Sequence, residues 1–207
     1  MMRRVMIFFI ALLLLGGGWA GAFDRCDSLV NPTIEASRHY LGYKFPWWYN
    51  IGVGKKESGC RWVKSLDGNG SIGYFQLTPR YLDDMLRPLF PDYDKPYSKQ
   101  HFYAFAYYVR VLYENSPTRK LWVLYQQYNG GRWVIRECER ARSWKWEDCY
   151  QECNRRDVCV WMTSRGCKEW RSACDINYEY SFNVWRYGKV WRDEKLAIEA
   201  EKEYPFW

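Results

Sequence analysis

The stretch SKQHFYAFAYYVRVLY, residues 98–113, decides the fold class. Ser98 is a residue type that caps helix N-termini, and Phe102, Phe105, Ala106, Val109, Leu112 and Tyr113 recur behind it at helical spacing. The next apolar run repeats the pattern: Thr118 opens a helix with Leu121, Leu124, Tyr125 and Tyr128 on one face. Upstream, Asn31-Pro32 reads as an N-cap followed by proline at the first helical position, with Gly42 as the stop. Pro46 opens a further helix through Trp47, Trp48, Ile51 and Val53 toward Glu57, although Gly52 and Gly54 each weaken it by about 1 kcal/mol. The charged segment from Asp193 to Glu203 reads as an exposed helix. Residues 61–76 contain the turn signal Asp67-Gly68-Asn69-Gly70 and read as a loop or short hairpin. The expected fold is mainly α, with a small β or loop region.

The chain has 207 residues, of which 48% are hydrophobic and 27% charged. That length and balance fit one globular domain with a small insertion, and no internal repeat is present. Residues 1–22 read as a secretory signal: Arg3 and Arg4, then the apolar run Val5 to Leu15, then Ala20-Gly21-Ala22 before Phe23. The apolar run is short for a bilayer span, so no stable membrane anchor is expected. Without Arg3 and Arg4, 29 basic residues face 24 acidic ones, a modest excess suited to an anionic wall polymer. Nucleic acid is a poor partner for an exported chain.

All eight cysteines, at 26, 60, 138, 149, 153, 159, 167 and 174, follow the signal, which points to disulfides in an oxidising space. Six of them fall in residues 132–176 with 18 charged residues and five tryptophans but few aliphatics. This stretch reads as an inserted module held by disulfides. An even count on each side of its boundary leads to Cys26 pairing with Cys60 and three bridges inside the module. Residues 23–131 and 177–207 then form the main domain.

Two histidines, His39 and His101, exclude most zinc hydrolases, and no HExxH is present. The chain also has no P-loop, GxGxxG or GxSxG. Asp67 to Ser71 imitates the start of an EF-hand loop, but Ile72 and Thr78 occupy positions that need Gly and Glu, which rejects calcium. Cys60 beside a histidine suggests a cysteine nucleophile less well than a disulfide to Cys26. No metal or other cofactor is implied. Aromatics make up 20% of the chain, suiting either sugar stacking or a tryptophan-rich core.

Three short blocks carry a more specific signal: Glu57-Ser58-Gly59, then Gly73-Tyr74-Phe75-Gln76 followed by Pro79, then Tyr128-Asn129-Gly130-Gly131. In this order and at these separations they resemble the soluble lytic transglycosylase family, whose fold is goose-type lysozyme-like. Ser65 matches that family's middle serine, and Tyr180 with Val184 its last block. Tyr74-Phe75 stands where the family has Leu-Met, Gln127 and Gly130 stand where it has alanines, and the loop from Glu57 to Gln76 is about one residue longer. The resemblance implies an exported enzyme, periplasmic or secreted, that cleaves the MurNAc–GlcNAc bond of peptidoglycan glycan strands. It implies Glu57 as the single acid and base. It implies Ser65, Gly73, Gln76, Tyr128, Asn129 and Tyr180 as substrate-binding residues, Tyr128 holding the sugar or the glutamate by its hydroxyl and Gln76 bonding an N-acetyl group or the cleft backbone. The insertion is a site for a cell-envelope protein partner, for the glycan, or a cover for the cleft.

The chemistry agrees with that role for Glu57. A glycosidic leaving oxygen needs a proton, and a carboxyl in an apolar cleft stays protonated because burial penalises its charge. Trp47, Trp48 and Trp62 are the candidate walls. A surface glutamate at a helix end is the plain alternative. Asp67 is the nearby second carboxyl: opposite Glu57 it would make a lysozyme-type hydrolase, and otherwise it begins an Asp-Gly turn. A wall-binding protein without turnover is the third reading.

Overall fold

The computed structural model describes residues 24–65 and 70–207; the expected signal segment, residues 1–22, and Asp67 lie outside them. The described chain is mainly α-helical, with a two-stranded sheet and a disulfide-rich region. The helices are α1 (Asp27–Leu41), α2 (Trp48–Ser58), α3 (Pro79–Leu86), α4 (Lys99–Glu114), α5 (Leu121–Gly130), α6 (Trp133–Ala141), α7 (Trp146–Gln151), α8 (Ala173–Gly188) and α9 (Glu194–Glu203). Strands β1 (Asp157–Thr163) and β2 (Gly166–Ser172) form an antiparallel hairpin. No described helix is long and apolar enough to cross a membrane.

Helix α4 begins as its sequence predicts, with the Ser98 hydroxyl accepting from the Gln100 N–H and Phe102, Phe105, Ala106 and Val109 buried. Asp193 caps α9 in the same way, accepting from Lys195 and Leu196. Two expected starts move. Helix α1 begins at Asp27, so Pro32 lies inside it. Proline there forfeits one bond, to the Ser28 carbonyl. The turn before it is held instead by the Cys26–Cys60 disulfide, by buried Leu29 and by Lys55 Nζ, 2.8 Å from Asp24 Oδ2. Helix α5 begins at Leu121, not Thr118, and it is buried all round from Leu121 to Gln127. Its first two N–H groups donate at 2.9 Å to the carbonyls of Pro205 and Phe206, so the C-terminal segment caps it. Phe206 is itself buried, with its ring 4.6 Å from that of Tyr49.

The core is assembled around α2, α5 and α8. Asn50 donates to Ser37 Oγ at 2.9 Å and accepts from the Tyr125 hydroxyl at 2.9 Å, joining three helices through buried polar groups. Helix α8 lies directly on α2. A Cβ added at Gly52 would sit 2.3 Å from the Val184 carbonyl oxygen, and one at Gly188 would sit 2.8 Å from that of Trp48. These glycines permit a backbone-to-backbone crossing that outweighs their poor helix propensity.

Residues 132–176 are of two kinds. Val134, Ile135, Cys138 and Cys149 are buried in the main core, so α6 and the start of α7 belong to it. The hairpin instead projects, with few side chains covered. The bridges are Cys26–Cys60, Cys138–Cys149, Cys153–Cys174 and Cys159–Cys167, which is the expected partition and leaves no free thiol. Buried Glu137 ties α6 to the hairpin's approach and to α8: Arg155 Nε lies 2.9 Å from its Oε1, and the Tyr178 hydroxyl donates to its Oε2 at 2.9 Å.

The crossing of α2 and α8 makes Gly52→Ala a severe substitution, since the obstructing atom is backbone. Its expected cost is about 1–3 kcal/mol or more, read as a lowered thermal midpoint with unchanged disulfides. A variant as stable as the parent would show that the helices are not in this contact.

Candidate active site

Glu57 is the penultimate residue of α2. The helix ends at Gly59 in the left-handed conformation, φ 60°, and Cys60 follows at φ 59°. The Cys26–Cys60 bridge holds this turn from outside. From inside, the Ser58 hydroxyl donates to the Tyr74 carbonyl at 2.7 Å and accepts from the Arg61 N–H. The Glu-Ser pair therefore has a mechanical reading: the serine fastens the end of α2 to the Gly73–Gln76 turn.

That turn is built on His101. Gly73 has φ 81°, and a Cβ there would lie 2.2 Å from His101 Cε1, so only glycine passes over the ring. His101 Nδ1 is 2.8 Å from the Tyr93 carbonyl, which can only accept, so Nδ1 carries the proton. Nε2 then accepts from the Phe75 N–H at 3.4 Å. Gln76 takes φ 54°, and its Nε2 donates to the carbonyls of Val63 and Gly73 at 3.0 and 2.8 Å. The ring of Phe75 stacks on Phe105 at 3.8 Å, which seats the turn against α4.

A cavity of about 660 Å³ opens beside Glu57. Its lining includes Ser65, Gln76, Tyr128 and Asn129 from the sequence-derived set. Among the described residues Glu57 is the only carboxyl group in that lining. The sequence assigned no cleft role to Ser71, Thr78, Tyr81, Leu82, Tyr108, Gln127 or Gly131, which also line it. Tyr108 lies off the apolar stripe of α4, the one cue its spacing offered. Ser71 and Thr78 share a hydrogen bond at 2.8 Å across the mouth of the turn.

Several expected roles change. Gly73 lies over His101 and outside the cavity lining, so its role is to shape the turn. Tyr180 is also buried away from the cavity, and its hydroxyl donates to Glu57 Oε1 at 2.5 Å. It is a positioning residue for the glutamate. Tyr128, expected to hold the glutamate or the sugar, donates its hydroxyl hydrogen bond to the Phe75 carbonyl at 2.6 Å. Its ring still walls the cavity, 5.6 Å from that of Tyr108. Asn129 donates to Asn177 Oδ1 at 3.0 Å and so joins α5 to α8. Trp47 and Trp48 are core residues at the far end of α2, and Trp62 packs on His101 and Tyr74; none is a cavity wall. The aromatic excess fills the core more than the cleft.

Burial raises the Glu57 carboxyl above the usual range, partly opposed by the Tyr180 hydrogen bond and by the charge of Lys56. Tyr180 itself is pushed well above the ordinary tyrosine value by burial and by Glu57, so it stays a neutral donor. A carboxyl raised by burial at a cleft edge, with one oxygen fixed by a phenol, can give up a proton and take it back. Among the described residues no group of three His, Cys, Asp or Glu side chains could hold a metal ion. Comparison of the chain with protein-family models, with characterised proteins and with solved structures gives no match.

Two outcomes follow from these groups. Tyr180→Phe removes the donor that favours the charged form, so the Glu57 carboxyl should titrate higher than in the parent, measured by carbonyl-carbon NMR. An unchanged or lower value contradicts the pairing. Burial lowers His101 to about 4, below its unfolded value of about 6.5. Its neutral form is the one the fold prefers, so its contribution is complete above pH 6.5. That contribution falls by about 3 kcal/mol as pH drops to 4, where it levels off. Denaturant titrations from pH 7 to 4 should show this slope, and His101→Gln should flatten it.

Proposed function

We propose that the protein is an exported peptidoglycan lytic transglycosylase, in which Glu57 serves first as acid and then as base. The observation that carries this reading is Glu57 itself: a carboxyl raised by burial, bonded to Tyr180, and alone among the described carboxyl groups in lining a polar cleft. The resemblance of the three sequence blocks supports it, as does their convergence on one turn and one cavity. Glu57 donates its proton to the glycosidic oxygen between MurNAc and GlcNAc as that bond to the anomeric carbon breaks. The C6 hydroxyl of the same MurNAc attacks the anomeric carbon and returns its proton to Glu57. The product is a 1,6-anhydro end, and no water is consumed. The four disulfides suit an oxidising compartment, which this reading narrows to the periplasm or the medium. The polar lining of Ser65, Ser71, Gln76, Thr78 and Asn129 fits the hydroxyl and acetamido groups of a glycan strand.

Glu57→Gln keeps the shape and removes the proton. It should reduce release of soluble muropeptides from sacculi by about 100- to 10,000-fold with unchanged circular dichroism. Near-parental activity in that variant sinks the assignment. Asp67→Asn should leave release largely intact. A loss as deep as that of Glu57→Gln would point to a carboxylate pair and a lysozyme-type hydrolase.

A further inference from the structure

The hairpin of β1 and β2 stands apart from the core. Residues 156–171 are exposed throughout except for Cys159, Thr163 and Cys167, which are partly covered. Its apolar side chains are nonetheless large: Met162 is 69% exposed, Trp170 62% and Trp161 51%, with Val158 and Val160 beside them. A two-stranded hairpin is marginal in water on its own. Here Cys159–Cys167 ties the strands together and Cys153–Cys174 closes the base, so the shape persists without a partner. Four basic residues, Arg156, Arg165, Lys168 and Arg171, face two acidic ones, Asp157 and Glu169, in that span. Arg171 pairs with Glu179, while Arg156, Arg165 and Lys168 make no ion pair with a described residue.

We infer that this hairpin docks reversibly on an anionic lipid surface, its Trp161, Met162 and Trp170 side chains entering the headgroup boundary while Arg165 and Lys168 meet the lipid phosphates. Tryptophan favours that boundary, and long basic side chains lay their stems along apolar surface with the charge outward. Lys168 Nζ lies 3.7 Å from the centre of the Trp161 ring, so cation and indole already present themselves together. A glycan fits less well. Sugar stacking needs bare aromatic faces, and Lys168 covers one face of Trp161. Val158, Val160 and Met162 offer hydroxyl groups nothing. The contact is peripheral, and it does not depend on the activity of Glu57. Helix α8 begins at the hairpin's base, and Tyr180 lies on it about 10 Å further along the axis, so docking would keep the cleft near the membrane.

The test is sedimentation of the mature, fully disulfide-bonded chain with vesicles of phosphatidylcholine alone and of equimolar phosphatidylcholine and phosphatidylglycerol. The chain should bind the anionic vesicles, lose binding with added salt, and show tryptophan quenching by brominated acyl chains. Trp161→Ser with Met162→Ser, and separately Arg165→Glu with Lys168→Glu, should each lower partition at least about tenfold. Non-reducing peptide mapping verifies that both variants keep their bridges. Absence of vesicle binding, equal binding to neutral vesicles, or parental binding by both variants overturns the inference. So does retention on wall sacculi, in place of vesicles, that the same substitutions abolish.

Discussion

The close crossing of α2 and α8 at Gly52 and Gly188 is the constraint on which the rest of the site depends. With no Cβ at either glycine, the two backbones touch, and α8 runs alongside α2 up to its last turn. That contact brings Tyr180 onto Glu57, although the two are 123 residues apart in the chain. Helix α5 joins the same assembly through Tyr125–Asn50 and through Ser181, whose hydroxyl donates to Gln126 Oε1 at 3.1 Å. The cleft residues Gln127, Tyr128 and Asn129 then follow from the last turn of α5. A buried polar network of this kind fixes one arrangement of helices more strictly than apolar packing alone.

The electrostatics of the site set burial against the Tyr180 hydrogen bond and the charge of Lys56. Burial favours the neutral carboxyl of Glu57, and the Tyr180 phenol favours the ionised one, with burial the larger. Burial and the phenol therefore pull the carboxyl in opposite directions, and the net shift is upward. His101 illustrates the other extreme. It is sealed beneath Gly73 and serves as a neutral strut, donating to Tyr93 and accepting from Phe75. Its location near the cleft gives it no access to a ligand.

The helical character was legible because it rests on local pattern: Ser98 and the apolar stripe behind it, Pro46 before α2, and Asp193 before α9. The partition of the cysteines was legible from parity and composition. What sequence did not reveal arises from contacts across the fold. The start of α1 depends on a disulfide to Cys60, which overrides Pro32 as a boundary. Gly52 and Gly54 counted against a helix until the backbone of α8 and the ring of Phe75 explained them. The three blocks identified Glu57, Gln76, Tyr128 and Asn129 as neighbours of one cavity, but not their bonds. Tyr180 and Tyr128 exchanged roles because only the folded chain decides which phenol reaches which oxygen. The lining of Ser71, Thr78 and Tyr108 had no signature, since isolated polar residues at loop and helix margins carry no periodicity.

The most direct test of the proposal is to incubate the purified protein with sacculi and weigh any glycan fragments released. A lone carboxyl acting on the substrate's own hydroxyl consumes no water, so the fragments should carry anhydro ends and sum to the mass of the uncut strand. Fragments heavier by one water for each cut, with reducing ends, would contradict the single-carboxylate account.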